Sequence, residues 1–364
     1  MAALLKDLYN ESYIQHLSLE LQALLSDFDM YAFHTSIFTK EWKDKALKER
    51  MRHISSTLGN FLPQNYADAI CILKKCYLRM NQSHSLENII FQDFVELYGL
   101  NDFSTSMEAL ECFTINSTSE YAIRQFILKY PQQSMQKIRL WAKSPNEHIR
   151  RLASEGCRPR LPWAIALVAF KNNPEEVLEI LEILKDDTSP YVRKSVANSI
   201  NDISKDNPNA VKTLAKRWLH ENPKREWILK HGCRTLLKKS DSEVLTLFGF
   251  DKPTKVFLNS FEMQESVAMG SELKFSFALH AAEKLGHLRV EYAVEFLRQN
   301  GKKSKKVFKI SEGNYENFNK TISKTYSFKP ISTRVYYKGL HTLHIIINGI
   351  TFMKQEFLLT DVTH

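Results

Sequence analysis

Between Asn146 and Asp206 apolar residues recur at helical spacing in successive copies. Val192, Val196, Ile200 and Ile203 fall within one narrow arc at about a hundred degrees per residue. The same register places Ile149, Ala153 and Cys157 in an earlier copy and Ile228, Gly232 and Leu236 in a later one. Each copy begins after a proline (Pro145, Pro190 and Pro223), and the first two carry an apolar-basic-basic run, Ile149-Arg150-Arg151 and Val192-Arg193-Lys194. The third, Trp227-Ile228-Leu229-Lys230, is degenerate. Recurring helix pairs predict a solenoid that presents a concave face.

The pattern extends in both directions. Leu17, Leu21, Leu24 and Leu25 form a helical stripe, Lys45–Leu58 continues helically to the break at Asn60–Pro63, and a helix over Tyr66–Met80 follows. These segments read as a cap that shields the first repeat; alternatively Arg50, Arg52 and His53 add to a DNA-facing surface. Phe94–Gly99 reads as a helix end closed by glycine, and Met107–Phe113 as a short helix. From Ser117 onward prolines punctuate predicted helices at Ser119–Tyr130, Ser134–Lys143, Glu147–Cys157, Glu175–Lys185, Tyr191–Lys205, Ala210–His220 and Arg225–Lys239. The stretch Arg158–Asn173, with Pro159, Pro162 and Trp163, interrupts the period, and insertions in repeats often carry function.

After Phe250 the period shortens to two. Strands are predicted at Val256–Leu258, Leu273–Leu279, Val290–Phe296, Lys306–Ile310, Thr321–Phe328, His341–Ile347 and Thr351–Leu359, with turns at Gln299–Lys302 and Asn348-Gly349. This pattern predicts an immunoglobulin-like β-sandwich. The fold class is therefore multidomain α + β: an all-α solenoid over residues 1–250 and an all-β sandwich over 252–364.

Charge adds direction. The net charge is +9, which suits an anionic partner. Overlaying the copies aligns Arg151, Lys194 and Lys230 in one column, Glu155, Asn198 and Arg234 in the next, and Pro159, Asp202 and Lys238 after that. A basic column suits a run of phosphates. Two acids beside it, Glu155 and Asp202, gain nothing on a purely DNA-holding surface, but suit one that stabilises a cationic sugar or base. The lysine-rich turn Lys302–Lys306 is either a second DNA contact or a solvated edge that discourages strand pairing. Five scattered cysteines fit reduced thiols in a cytoplasm. No His lies at ligand spacing to complete a zinc site, so neither metal nor cofactor is expected. No secretory signal is apparent, and the longest apolar run is too short to span a bilayer, so no membrane association is expected.

Six runs, in order, resemble one family. They are Leu47–His53 (LKERMRH), Asp93–Gly99 (DFVELYG), Ser117–Arg124 (STSEYAIR), Arg150–Gly156 (RRLASEG), Arg158–Ala164 (RPRLPWA) and Ser195–Asp202 (SVANSIND). Together they resemble the AlkC family, bacterial alkylpurine DNA glycosylases built on HEAT-like repeats and related to AlkD. The resemblance covers about residues 1–250, and residues 252–364 resemble the immunoglobulin-like domain some members carry. Gln125 departs from the family motif, which has a proline there.

The resemblance implies hydrolysis of the N-glycosidic bond of cationic methylated bases, namely 3-methyladenine, 3-methylcytosine and 1-methyladenine, in double-stranded DNA during base excision repair. It also implies a lesion not sequestered in a deep pocket, unlike enzymes that flip the nucleotide. The family's active-site positions fall on Asp202, Glu120, Glu155 and Trp163, with Asp202 as first choice for the central acid and Glu120 next. Arg151, Lys194, Lys230 and Arg234 are expected on phosphates; Arg158 and Arg160 either reach the minor groove or pair with acids. A monomeric, cytoplasmic bacterial enzyme is expected. Read without the family, Glu120 is a helix-start acid four residues before Arg124, Glu155 an ordinary pair with Arg151, and Asp202 a solvated helix residue. The competing function is a non-catalytic HEAT-repeat DNA-binding or scaffold protein, in which substituting these acids changes no activity.

Overall fold

A computed structural model describes residues 4–80, 84–331 and 334–361. The chain forms two compact units, Met1–Ala210 with His220–Gly232, and Val211–Leu219 with Cys233–His364. The first is helical. Its centre is a stack in which the Glu147–Gly156, Pro190–Asp206 and Pro223–Gly232 helices pack side by side in order. The predicted stripe is the buried seam: Val192, Val196, Ile200, Ile203, Ala153, Cys157 and Ile228 are all buried. Small residues set the spacing. A Cβ on Gly232 would lie 2.7 Å from the Ile200 Cγ2, and one on Gly156 2.7 Å from the Ile123 Cγ2, so neighbouring segments approach more closely than any side chain there would permit.

Several helix ends differ from expectation, each for a local reason. The expected Ser119–Tyr130 helix is shorter, Ile123–Lys129, because Ser119–Ala122 are held in a turn by side-chain bonds such as Ser119 Oγ donating to the Leu110 carbonyl at 2.7 Å. The expected Arg225–Lys239 helix is broken at Cys233 into Pro223–Gly232 and Arg234–Lys238. In the N-terminal stripe Leu17 and Leu21 are buried in the Glu11–Gln22 helix, while Leu24 lies past its end. The interrupting stretch forms a loop closed by Leu167 N donating to the Pro159 carbonyl at 3.1 Å, then a short helix, Val168–Asn172.

Among the described residues the second unit carries eight strands: β1 Val256–Met263, β2 Ser266–Ala268, β3 Glu272–Ala281, β4 Gly286–Leu297, β5 Lys303–Tyr315, β6 Asn319–Ser327, β7 Gly339–Ile347 and β8 Ile350–Thr360. They form a three-stranded sheet, β1-β3-β6, and a five-stranded sheet, β2-β8-β7-β4-β5. Alternating residues of β3 and of the central strands β4 and β7, such as Phe275, Phe277, Val290, Val294, Leu343 and Ile345, meet in one core between the sheets. Asn348 and Gly349 both have positive φ (46° and 79°), the conformation a two-residue hairpin requires. Only β2 went unpredicted; at three residues, parallel to β8, it is too short to show periodicity. β5 lies at a sheet edge, and its Lys303 Nζ sits 3.2 Å from Glu356.

Candidate active site

The three acids converge. Glu155 lies in the last turn of its helix, Arg158 two residues beyond that helix's end, and Asp202 in the fourth turn of the neighbouring helix. Because the two helices pack side by side, with Ser154 and Ser195 hydroxyls in contact across the seam, Arg158 reaches both acids. Its Nη1 is 2.7 Å from Glu155 Oε2, and its Nη2 is 2.7 Å from Asp202 Oδ2. Arg151 extends the chain: Nη1 is 2.7 Å from Glu120 Oε2, and Nη2 is 3.7 Å from Glu155 Oε1. Thr118 Oγ1 donates to Glu120 Oε2 at 2.6 Å, and Lys205 Nζ lies 2.9 Å from Asp202 Oδ1. The order is Glu120, Arg151, Glu155, Arg158, Asp202, Lys205. Three carboxylates face two guanidiniums, a net charge of −1 until the exposed Lys205 is added.

Burial makes this chain electrostatically strong. Glu120, Glu155 and Asp202 are 7%, 4% and 2% exposed. In a low-dielectric site each charge is felt far more than in water. Burial raises the Glu155 pKa, against the pull of Arg158 and Arg151. Burial also works against the Arg158 charge, but Glu155 and Asp202 outweigh it and hold its pKa above the ordinary value. The same balance, with Glu120 and Glu155 as partners, holds for Arg151, whose guanidinium also lies 4.9 Å from the Tyr191 ring centroid.

Trp163 is presented differently. It is 62% exposed, with φ +64°, a left-handed conformation uncommon for a bulky residue. Two cations hold its loop. Arg124, fully buried, donates to the carbonyls of Gly156 (3.1 Å), Arg158 (2.8 Å) and Ile165 (2.8 Å from Nε). Lys48 donates to the Trp163 carbonyl and sits 5.3 Å from the Tyr121 ring centroid. Burial pushes the Arg124 pKa down to about 10, yet it stays cationic at neutral pH.

Several readings made without the family are corrected. Asp202 is not solvated, and the Glu155–Arg151 pair is not on the surface, because neighbouring segments cover both. Glu120 pairs with Arg151 rather than Arg124, and it stands in a turn three residues ahead of the helix. Arg158 and Arg160 both pair with acids; Arg160 Nη2 is 2.5 Å from Asp206 Oδ1. Arg50 and Arg52 are also engaged, Arg50 against the Lys6 carbonyl and the Trp42 ring, and Arg52 against Asp93 and Glu96. Lys194 and Lys230 are exposed on adjacent stacked helices, whereas Arg234 belongs to the second unit. Thr118, Arg124, Lys48 and Lys205 escaped sequence reasoning. Only Arg124 left a signal, a charge on the apolar face of Ile123, Phe126 and Ile127.

Comparison with known proteins places the whole chain in a family. Residues 111–236 match the DNA alkylation repair enzyme family, and residues 258–361 match the C-terminal Ig-like domain of the uncharacterised protein YhaZ. The uncharacterized protein YhaZ of Bacillus subtilis (strain 168) is 42% identical over 347 residues, 95% of this chain and 96% of that protein. The solved Pseudomonas fluorescens alkylpurine DNA glycosylase AlkC, bound to DNA containing an abasic site analog, superposes with a TM-score of 0.93 at 33% identity, covering 98% of this chain and 99% of that one. The chain belongs to the AlkC family of DNA glycosylases. The AlkC likeness runs through both units, so the resemblance carried by the six sequence runs extends to the immunoglobulin-like domain. Among the described residues no grouping of three or more His, Cys, Asp or Glu could hold a metal ion, and no helix is long and apolar enough to cross a membrane.

Proposed function

We propose that this chain binds double-stranded DNA and hydrolyses the N-glycosidic bond of cationic methylated bases, with 3-methyladenine, 3-methylcytosine and 1-methyladenine as the substrate class. The observation that carries this reading is the buried alternation of Glu120, Arg151, Glu155, Arg158 and Asp202, together with an exposed Trp163 in left-handed backbone whose loop Arg124 ties to the Arg158 carbonyl. The repair-family match over 111–236 and the likeness to a DNA-bound glycosylase support it.

A base alkylated on a ring nitrogen is a cation and a good leaving group. As the C1′–N bond breaks, the base leaves neutral and positive charge develops on the deoxyribose. Preorganised carboxylates stabilise that charge without reorganising at the moment of reaction. Water then adds to C1′, and its proton passes to a carboxylate or to solvent. The two arginines fix the acids in place and oppose the rise that burial imposes on the Glu155 pKa. Asp202 is the first choice for the group facing the sugar, then Glu120, with Glu155 setting the local potential. The Trp163 indole lies against the cationic base or sugar by cation–π attraction. Lys194 and Lys230, with Arg234, take phosphates. The reactive region occupies residues 1–250 and the immunoglobulin-like domain residues 252–364, a division supported by the two family matches.

The test is release of free methylated base from methylated duplex DNA. Asp202→Asn and Glu120→Gln should each lower single-turnover release by about 10²-fold or more, while DNA affinity measured in the same buffer changes little. Unchanged release in both variants would refute the catalytic reading in favour of a DNA-binding scaffold.

A further inference from the structure

Asp202 is held from two sides by unequal partners. Arg158 grips its Oδ2 through Nε at 2.8 Å and Nη2 at 2.7 Å, and the same buried guanidinium is committed to Glu155. Lys205 donates to the other oxygen, Oδ1, through a single contact of 2.9 Å. It stands in the last turn of the Pro190–Asp206 helix, about one turn beyond Asp202. Its side chain is 38% exposed, against 16% or less for the other members of the charge chain. Lys205 is therefore the member that solvent reaches and that least holds in place.

The charges in direct contact sum to zero with Lys205 and to −1 without it: Glu120, Glu155 and Asp202 against Arg151, Arg158 and Lys205. Arg124 is spent on backbone carbonyls and Arg160 on Asp206, so neither joins these contacts. An uncompensated buried charge is costly, which favours the neutral arrangement while no DNA is bound. A developing sugar cation needs the opposite, a negative excess in a setting where each charge is strongly felt. DNA itself can supply the change. Placing C1′ of the damaged nucleotide against Asp202 brings the phosphates that flank that sugar close to an ammonium 2.9 Å from the acid. A phosphate oxygen competes well for a lysine held by one contact, whereas Arg158, bonded to two acids, stays.

We infer that Lys205 is a DNA-gated partner of Asp202. In the free protein it neutralises the charge chain; in the complex it turns to a phosphate flanking the damaged sugar and leaves Asp202 Oδ1 without its cation, facing the charge that develops. No covalent bond forms or breaks in this step. The inference deepens the proposed reaction and rests on its placing of Asp202 at the sugar.

A substitution cycle between protein and DNA tests it. The full chain is wild type, Lys205→Met or Lys205→Arg. The duplex carries one 3-methylcytosine, with ordinary phosphates or with an uncharged methylphosphonate replacing the phosphate on its 5′ or its 3′ side. At one of the two positions the neutral linkage should weaken wild-type binding at least about threefold more than it weakens binding by Lys205→Met. The same linkage should slow single-turnover release at saturating protein at least about threefold more in wild type than in Lys205→Met. In wild type the lysine then stays on Asp202, and the variant has none to stay. Lys205→Arg should show the wild-type sensitivity in both measurements. Lys205→Gln takes the place of Lys205→Met should that variant misfold. Equal effects of both linkages on binding by wild type and Lys205→Met overturn the inference. Coupling in binding without coupling in release also overturns it, because Lys205 would then hold DNA without leaving Asp202. If wild type frees no 3-methylcytosine from the ordinary duplex, the proposed reaction fails instead, and the binding cycle still decides whether Lys205 takes the phosphate.

Discussion

Arg158 is the side chain whose loss should be most costly, and its environment sets the size of the effect. Among the described residues it is the bridge that touches both Glu155 and Asp202, through three contacts of 2.7–2.8 Å. Arg158→Met keeps much of the aliphatic stem and removes the charge. Two acids less than a tenth exposed are then left facing one another, with Lys205 on one side and Arg151 3.7 Å away on the other. Removing one partner of a buried ion pair costs about 3–5 kcal/mol. That corresponds to a fall of the helical unit's unfolding midpoint on the order of 10 °C. The cost depends on pH with a definite sign. Burial already raises the Glu155 pKa, and without Arg158 it rises further above its unfolded value. A carboxyl so raised is stabilising when protonated, and that stability is lost as pH rises through the unfolded and then the folded pKa. The difference between wild type and Arg158→Met should therefore be larger at pH 8 than at pH 5.5. Thermal and urea unfolding at the two pH values measure it. Adding Glu155→Gln and Asp202→Asn to Arg158→Met should recover part of the loss, because the stranded charges are gone. A loss under about 1 kcal/mol, or one independent of pH, would show that the network is not electrostatically coupled in the way its distances imply.

Two contrasting substitutions separate stability from activity. Trp163→Gly relieves the left-handed backbone, so stability should hold or rise by up to about 1 kcal/mol, while base release falls roughly 30-fold if the indole supplies about 2 kcal/mol of cation–π stabilisation; a parallel loss of both would make Trp163 a packing residue. Arg160→Ala breaks a pair whose side chains are 40% and 20% exposed, so differential scanning should show a change within about 1 kcal/mol, and a larger one would mark Asp206 as part of the buried network.

Much of the helical unit was legible because its repeats are punctuated by prolines and share one apolar stripe. Val192, Val196 and Ile200 could be assigned to the core from spacing alone. Spacing does not reveal which polar face a neighbouring segment covers. Glu155, four residues after Arg151, looks like an ordinary surface pair, and only the stacking of the next helix makes it buried. The break at Cys233 was hidden for a related reason: Leu236 keeps the stripe's register across it. Asp93 and Trp163, 70 positions apart in the numbering, share a cavity that no local pattern announces. In the β unit, alternation located seven strands because one face of each packs on a common core; the three-residue β2 lies below the length at which alternation can register.

The bond from Lys48 to the Trp163 carbonyl has a practical bearing on how the protein can be cut. The recognised repair segment begins at residue 111, yet the loop bearing the indole is anchored by a lysine sixty-three positions upstream of it, and Tyr9, Met51 and Arg52 wall the adjoining space. A fragment trimmed to that segment would keep Glu120, Glu155 and Asp202 but lose the strut that aims the ring. Partial copies lacking the first hundred residues should therefore not be counted as working versions of the full-length chain.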